Sequence, residues 1–319
     1  MYKEPIFLKP VFQERIWGGQ KLRTQFQYDI PNDQTGEAWV ISAHPNGPSE
    51  ITNGPLAGKT LIDAWEEHGE LFNKKAGSHE EYPLLVKILD ANDDLSVQVH
   101  PDDQYAREAE GQPYGKTECW YVLNAEPEAK IVLGHNAASR EELGQMMDQG
   151  EWNQLLKYTE VKTGDFIYVP SGTIHAIGKG IVILETQQSS DITYRVYDYD
   201  RTDANGQKRE LHLDKAKEVT NVPHQPAVTE QSEEVIEGLT KKRLVKETYF
   251  TVEHWTLNAA VSQRLEKDFL QVSVIEGSGE ITIDGKTIPF EKGSHFILPY
   301  GIEAYSLTGK AEFIVSWVS

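Results

Sequence analysis

The sequence predicts a mainly β protein with sandwich or barrel architecture, in which one strand–turn–strand unit occurs twice. Short strand-like stretches, separated by Gly, Pro and Asn turns, follow one another along most of the chain. One arrangement of glycine and proline recurs near the C-terminus with identical spacing, which is typical of internal duplication. Helix-like segments are short and lie between the strands, so we expect them to be additions to a β framework.

Composition and charge narrow the class of protein before any motif is considered. The 319 residues are 39% hydrophobic, which suits a globular fold, and the formal net charge is −19. A surface this acidic repels phosphate backbones, so we expect no nucleic-acid partner. No apolar run approaches the roughly 20 residues that a membrane span needs, so we expect no membrane association. A phosphorylated substrate would require Lys or Arg side chains concentrated at its site.

The single cysteine and the first residues predict a cytoplasmic location. Cys119 has no second cysteine with which to form an internal disulfide, and this suits a reducing compartment. The opening MYKEPIFLKPVFQERIW mixes charges and prolines where a signal peptide would have an unbroken apolar stretch. The sequence leaves open whether the protein is a monomer or a homodimer.

The chain divides into two predicted β domains. We expect residues 1–240 to form the catalytic, metal-binding domain, with irregular N-terminal strands and a small helical insertion at about 138–158. Residues 241–319 return to strands and are expected to form the C-terminal domain. Two capping-box signatures predict where helices begin: Thr60 with Asp63, and Ser139 with Glu142.

The duplicated unit is a strand, a tight turn and a second strand. In the first copy, GDFIYVPSGTIHAIG, the spacing is G-x5-P-x-G-x2-H, and the second copy, GSHFILPYGIEAYS, replaces only the histidine. The positions are Gly164, Pro170, Gly172 and His175 in the first copy, and Gly293, Pro299, Gly301 and Ala304 in the second. The first copy has therefore kept a potential metal ligand that the second lacks.

This spacing resembles the second sequence motif of cupins, which are small double-sheet jelly rolls that hold a metal in the barrel. The resemblance implies two cupin barrels, the first metal-bearing and the second degenerate. The Pro–Gly pair would then turn the chain so that the next strand directs its first side chain, His175, into the lumen. The plainer alternative is that Gly and Pro mark ordinary turns, and the matched second copy disfavours it.

Two strand-like segments carry polar side chains on one face. In LSVQVH, strict alternation separates the apolar set Leu95, Val97 and Val99 from the polar set Ser96, Gln98 and His100. In GKTECWYVL, the same period puts Lys116 and Glu118 on one face and Cys119 on the other. We therefore expect Cys119 to point away from the lumen and not to be a nucleophile.

Gln98, His100, Glu118 and His175 form a candidate metal site of one amide, two imidazoles and one carboxylate. These ligands suit a catalytic Zn²⁺ with an open position, and they would also suit Fe²⁺ or Mn²⁺. A lone histidine in a strand is more often a hydrogen-bonded core residue, but these two occupy the positions where cupins place ligands. Because Glu118 follows His100 by 18 residues, the loop between them must fold outward.

Several motifs in combination resemble the type I phosphomannose isomerases in their short bacterial form. They are QVHPDD, the following K-x-E, PSGTIHAI with LETQQSSDITYRVYD, RIWGG and GEAWVIS, and they cover most of the chain. The resemblance implies an enzyme that interconverts mannose 6-phosphate and fructose 6-phosphate with one zinc ion per chain. It also implies that the four candidate ligands bind that zinc.

The resemblance places further residues in the substrate pocket. Arg195 matches the family's active-site arginine, Glu185 an acidic pocket residue, Lys116 a pocket lysine, and Ser96 a residue near the substrate phosphate. Moving a carbonyl between neighbouring carbons passes through an enediolate and needs a base to carry a carbon-bound proton. Glu185, Lys116 and a metal-bound hydroxide are all candidates for that base, and the sequence does not choose among them.

The substrate phosphate needs cations, and Arg201 is the residue that we expect to supply one. We expect it to act with Ser96, helped by Lys116. The alternative is that Arg201 forms a surface ion pair with Asp198 or Asp203, and the sequence supports both readings equally.

Two other functions are compatible with a cupin scaffold. An iron-dependent cupin dioxygenase would use the two histidines and the carboxylate as its metal ligands. A non-catalytic sugar-binding cupin is the third possibility, but it would not need the charged side chains of Lys116, Glu185 and Arg195 together. Fold resemblance alone decides none of these, since one fold supports many chemistries.

Overall fold

The computed structural model describes residues 3–202 and 205–319, and these contain 21 strands and six α-helices. The strands are β1 (Ile6–Lys9), β2 (Val11–Gly19), β3 (Thr35–Ser42), β4 (Glu50–Ile51), β5 (Leu84–Ala91), β6 (Val97–Val99), β7 (Glu118–Ala125), β8 (Lys130–His135), β9 (Leu156–Glu160), β10 (Phe166–Val169), β11 (His175–Ile177), β12 (Ile181–Gln188), β13 (Tyr194–Tyr197), β14 (Ser232–Ile236), β15 (Leu239–Lys246), β16 (Phe250–Leu257), β17 (Val261–Arg264), β18 (Leu270–Ile283), β19 (Lys286–Glu291), β20 (His295–Leu298) and β21 (Ala304–Val318). The helices are α1 (Lys21–Phe26), α2 (Leu61–Glu67), α3 (Asp103–Tyr105), α4 (Arg140–Gln149), α5 (Trp152–Leu155) and α6 (Leu213–Val219).

Two antiparallel sheets form the first jelly roll. The six-stranded sheet has the order β10-β7-β12-β5-β3-β2, and the five-stranded sheet has the order β13-β6-β11-β8-β9. Apolar side chains from both sheets, among them Leu89, Trp120, Ile131, Ile177 and Ile183, form one buried cluster between them. The two sheets therefore pack face to face over a shared core, as in a β-sandwich.

The second jelly roll is built on a ten-stranded sheet with the order β14-β15-β16-β21-β18-β20-β1-β4, to which β17 and β19 add by pairing with β21 and β18. Two N-terminal strands, β1 and β4, belong to this sheet, with Ile6 opposite Ile297 and Leu8 opposite Ile51. The predicted mainly β fold of two cupin-type jelly rolls is confirmed, although the sheets are open and not closed barrels. The division between residues 240 and 241 stays a prediction.

A second apolar cluster joins the two jelly rolls. The outer face of the six-stranded sheet contributes Val86, Cys119 and Leu184, and the ten-stranded sheet contributes Phe250 and Ile297. Cys119 is buried and free, and it points away from the polar side of β7 as its position in the alternation predicted. The two halves of the chain are thus held together by sheet pairing and by a continuous core.

Both predicted helix starts are present. Thr60 and Asp63 form a complete capping box at the start of α2. At α4, Ser139 accepts a hydrogen bond from the Glu142 backbone, but the Glu142 carboxylate accepts from Ala138 and not from Ser139. The helices α4, α5 and α6 cover the outer face of the five-stranded sheet with apolar residues such as Leu143 and Leu155. Within the described ranges, no helix has the length and apolar character of a membrane span.

The long loop between His100 and Glu118 is closed at its base. The Lys116 backbone N–H donates to the Pro101 carbonyl at 3.0 Å, and Asp102 caps α3 by accepting from Tyr105. Residues 102–115 therefore form a separate loop that folds outward, as expected. Because the loop starts and ends at the same place, two side chains distant in sequence can reach the same point of the lumen.

The duplicated turn has the same form in both halves. The strand β10 is followed after a turn by β11, which begins at His175, and β20 is followed in the same way by β21, which begins at Ala304. Gly172 has φ +79° and Gly301 has φ +91°, a region that favours glycine. The Gly172 N–H donates to the His100 carbonyl at 2.8 Å, so this turn ties together the two segments that carry the candidate histidines.

Replacing Gly172 by alanine should destabilise the protein more than the same change at Gly164. Both residues have positive φ, and a Cβ there costs about 1–2 kcal/mol. At Gly172 the new Cβ would also lie 2.5 Å from the Asn221 amide nitrogen, which should add about 1–3 kcal/mol, whereas Gly164 has open space. Urea unfolding of Gly172→Ala and Gly164→Ala measures the difference. Equal losses of unfolding free energy would show that the turn has room to adapt.

Candidate metal centre and active site

The strand β6 of the five-stranded sheet and its two neighbours align three candidate residues in one row. Gln98 on β6 lies directly opposite His175 on one neighbouring strand and Arg195 on the other. Cross-strand partners present their side chains on the same face of a sheet. Ser96 and Gln98 line a cavity of about 470 Å³, as does Leu95, which was expected on the opposite face. Leu95 precedes the first residue of β6, so strand alternation does not extend to it.

Three of the four candidate metal ligands converge at a buried point. One ligand atom from each of His100, Glu118 and His175 lies within 4.8 Å of the other two. The Glu118 carboxylate is 3.5 Å from His100 Nε2 through one oxygen and 3.3 Å from His175 Nε2 through the other. All three side chains are almost entirely buried. The role of Gln98 as a fourth ligand stays a prediction.

The second nitrogen of each imidazole is fixed by a backbone carbonyl. His100 Nδ1 is 2.8 Å from the Ile192 carbonyl, and His175 Nδ1 is 2.8 Å from the Thr173 carbonyl. A carbonyl only accepts, so each Nδ1 carries the proton and each Nε2 is left with a lone pair. Burial lowers the pKa of His175 to about 4 and that of His100 well below its usual range. The neutral tautomer is the form that binds a metal.

One buried atom at this point supports a metal-binding role. His175 Nε2 lacks a hydrogen-bond partner within the described residues. A buried polar atom without a partner costs about 1–3 kcal/mol, and a divalent cation would satisfy it. Two imidazoles and a carboxylate suit a first-row divalent metal. The residues present therefore fit a metal ion.

Lys116 lies beside this centre. Its ammonium is 2.8 Å from a Glu118 oxygen and 3.1 Å from His100 Nε2. Burial lowers the pKa of Lys116, but the carboxylates of Glu118 and Glu185 outweigh it, and the net shift is upward. The cation therefore partly compensates the buried negative charge of Glu118.

Glu185 belongs to a second row of side chains, on the six-stranded sheet. Trp120 Nε1 donates to Glu118 at 3.0 Å and to Glu185 at 3.2 Å, so one indole bridges the two carboxylates. Lys87 lies 3.6 Å from the other Glu185 oxygen and over the ring of Trp39. Burial and the charge of Glu118 raise the pKa of Glu185. A carboxyl with a raised pKa at the edge of a cavity is typical of a proton-transferring group.

The structure brings Arg195 to the cavity but not Arg201. Arg195 lines it and donates to the Glu210 carbonyl at 2.8 Å. The Arg201 guanidinium lies outside the lining and donates to the Asp94 carbonyl and to Asp198, at 2.6 and 2.7 Å. The alternative ion pair with Asp198 is therefore present, while Asp203 falls outside the described residues. Asp198 also binds Arg209 through both oxygens, at 2.6 and 2.7 Å.

Five charged residues of the cavity were missed by the sequence analysis. They are Arg15, Glu37, Lys87, Asp191 and Arg209, and Arg15 donates to Glu37 at 2.8 Å. The signal for Lys87 was available, because PLLVKILDA places a lysine within a mostly apolar strand, and lysine is almost never buried without a partner. With Lys116 and Arg195, the cavity has five cations and three carboxylates. The local concentration of cations that a phosphorylated substrate would require in this acidic chain is present.

Two family models match the chain. Residues 6–139 match the model described as phosphomannose isomerase type I, catalytic domain. Residues 240–318 match the model described as mannose-6-phosphate isomerase, cupin domain.

Relatives with these same names match the chain over nearly its full length. The chain is 52% identical to a mannose-6-phosphate isomerase of Bacillus subtilis over 99% of both chains. It is 50% identical to a mannose-6-phosphate isomerase of Streptococcus mutans over 98% of both chains. A crystal structure of mannose 6-phosphate isomerase from Bacillus subtilis superposes with a TM-score of 0.95 at 50% identity, covering 98% of this chain and 99% of that one.

Glu118→Gln should remove most of the bound metal. The substitution keeps the shape of the side chain but deletes the charge that lies between the two imidazoles, and loss of a ligand charge weakens metal binding. Metal content per chain, measured by inductively coupled plasma mass spectrometry after dialysis, should fall well below that of the unchanged protein. Glu141→Gln, an exposed carboxylate on α4, is the control and should keep full metal content. Equal metal content in the two variants would contradict the site.

Proposed function

The chain belongs to the type I phosphomannose isomerase family and is an isomerase, and we propose that it interconverts mannose 6-phosphate and fructose 6-phosphate. The observation that carries this proposal is the convergence of His100, Glu118 and His175 next to a cavity rich in cations, which Lys116 lines while also contacting Glu118. The relatives named for this reaction match nearly the full length of the chain. The site described above contains the chemical groups that this isomerisation needs, which are candidate metal ligands, a carboxyl that can carry a proton, and cations.

The proposed metal is one Zn²⁺ per chain, held by His100, Glu118 and His175 with Gln98 as the fourth ligand. Gln98 shares a sheet face with His175, which supports its inclusion. Bound zinc acts as a Lewis acid that polarises a substrate carbonyl. The rest of the reaction falls to the side chains of the cavity.

Glu185 is the proposed base that carries the proton between the two carbons. Its carboxyl is buried at the cavity, and its raised pKa brings it nearer to neutrality, where a base that must both accept and return a proton works best. The indole N–H of Trp120 and the ammonium of Lys87 hold the carboxyl in place. Lys116 is the weaker candidate for the base, because its ammonium is engaged by the Glu118 carboxylate at 2.8 Å.

The negative charge of the enediolate and of the phosphate requires cations at fixed positions. Lys116 and Arg195 are proposed to stabilise the enediolate, since preorganised charge in a dry pocket is worth more than charge in water. For the phosphate we propose Ser96 together with Arg209, which lines the cavity and is held by Asp198. The earlier expectation for Arg201 is not carried forward, because its guanidinium is engaged elsewhere.

The buried free thiol of Cys119 is compatible with the expected reducing cytoplasm, and we propose that the enzyme acts there on its phosphosugar.

The purified protein should convert mannose 6-phosphate to fructose 6-phosphate, lose this activity on chelation and regain it with zinc. The reason is that the proposed zinc polarises the substrate carbonyl, and the chelator removes that zinc. A coupled assay for fructose 6-phosphate gives the rate, and oxygen uptake is recorded on the same samples. A folded, zinc-loaded protein without turnover would overturn the proposal. Oxygen consumption restored by iron would favour the dioxygenase instead.

Glu185→Gln should lower kcat by about 10²–10⁴-fold, the usual contribution of a general base, while metal content stays unchanged. Cys119→Ala is the control, because Cys119 is opposite Thr186 in the same sheet but faces the apolar cluster behind it. The Cys119→Ala variant should keep its kcat, and only its free energy of unfolding should fall. If Glu185→Gln retained full kcat, the base would have to be another group.

A further inference from the structure

The second jelly roll contains a cavity of its own. It measures about 430 Å³ and opens between β14, β15, β16 and β17, on the inner face of the ten-stranded sheet. The residue that replaces the first copy's histidine, Ala304, pairs with Arg264 on β17 at its rim. This cavity is therefore separate from the metal centre, which lies between the other two sheets. Nothing in the proposed isomerase reaction uses it.

The lining of this cavity is basic although the chain is acidic. Five cations line it, Lys241, Arg243, Lys246, Arg264 and Lys267, against three carboxylates, Glu234, Glu253 and Glu266. The formal net charge of the whole chain is −19, so a local excess of positive charge stands out against its surroundings. Like charges brought together in a concave surface repel one another, and an anion relieves that repulsion.

Most of these cations have no ion pair. Within the described residues, no carboxylate lies within 4 Å of Arg243, Lys246 or Arg264, and the buried Nε of Arg243 has no hydrogen-bond partner. Glu253 is directly opposite Arg243 on β16, but its carboxylate accepts a hydrogen bond from Trp255 Nε1 at 2.7 Å. A buried guanidinium donor left unsatisfied is costly, so the site gains free energy when an acceptor arrives.

Aromatic and polar side chains complete the cavity. Lys241 lies 4.6 Å from the ring centre of Trp255, and Lys267 lies 5.2 Å from that of Trp317. The two rings hold the ammonium groups at the walls of the cavity. Arg243 lies on β15, between β14 and β16. Gln263 accepts from Lys241 at 2.7 Å and donates its amide N–H to the Ser262 carbonyl at 2.9 Å. The arrangement is a concave set of donors with few acceptors.

We propose that this cavity binds a small metabolite through a phosphate group. Arg243 is the central contact, because a guanidinium offers parallel donors that match two oxygens of a phosphate. Lys246 and Arg264 supply further charge at the rim. The phosphate can belong to a sugar phosphate or be free inorganic phosphate, and both share the dianion that the cations recognise.

The test is the stoichiometry of phosphate binding to the full, zinc-loaded chain, measured by isothermal titration calorimetry. The unchanged protein should bind two phosphates per chain, one in each cavity. Arg243→Gln should weaken one of these sites by about tenfold or more, since charge-assisted hydrogen bonds are the strong ones. Lys246→Gln should weaken the same site, and it keeps the test valid if Arg243→Gln folds poorly.

Lys242→Gln is the matched control. Lys242 is next to Arg243 on β15, is exposed, and pairs with His254 on the opposite face from the cavity. The Lys242→Gln substitution removes one positive charge from the same strand and should leave both phosphate sites intact. All three variants should keep the isomerase kcat, so loss of the second site is distinguishable from failure of the proposed reaction.

Two results would overturn the proposal. One is a single phosphate per chain in the unchanged protein whose binding Arg243→Gln leaves unaltered. The other is a second site that Arg243→Gln and Lys246→Gln leave unaltered. Titration with mannose 6-phosphate and with mannose identifies the source of the phosphate: tighter binding of mannose 6-phosphate than of phosphate at the second site indicates a sugar phosphate, and equal binding indicates free phosphate. Equal binding of uncharged mannose at that site would contradict recognition of an anion.

Discussion

The carboxylate of Glu118 has no exposed surface, and burying a charge in this way is tolerated only when other groups compensate it. Lys116, the two imidazoles and the indole of Trp120 all converge on its two oxygens. These groups come from different parts of the fold. Lys116 lies at the base of the closed loop, the two imidazoles lie on segments tied by a glycine turn, and Trp120 lies on the same strand as Glu118. The jelly roll must be assembled before the carboxylate can be buried, so the fold and the site depend on each other.

Two facing rows of side chains bring the candidate metal ligands and the proposed base to opposite sides of one cavity. The five-stranded sheet presents His175, Gln98 and Arg195 in one cross-strand row. The six-stranded sheet presents Lys87 and Glu185 in another, flanked by two indoles. Rigid strands fix the spacing between the rows, which is the property that catalytic geometry requires. The extra strands β1 and β4 in the ten-stranded sheet tie the N-terminus to the second jelly roll and brace the sheet that carries Glu185.

Periodicity and duplication predicted much of this from the sequence, and their limits are physical. Alternation in GKTECWYVL placed Glu118 and Cys119 on opposite faces, because that strand has one polar side. The repeated turn predicted His175 at the start of a strand, because the spacing of Gly and Pro sets the backbone. Lys87 was missed, since β5 is buried on both faces and shows no alternation. The sequence could not show which of Arg201 and Arg209 reaches the cavity, because both bind Asp198. Only the path of the chain beyond β13 decides between them.

The two cavities differ in how their cations are held. In the first, several cations are held by carboxylates, as in Lys87 with Glu185 and Arg209 with Asp198, so their positions are set before any ligand arrives. Pairing reduces the attraction for an anion but fixes the geometry, and transition-state stabilisation depends on geometry. In the second, Arg243 has no such partner among the described residues, so the cation is free to give its full attraction to a ligand but is less rigidly placed. Preorganised pairs suit chemistry, whereas unpaired cations suit simple binding, and the duplicated fold has acquired one of each.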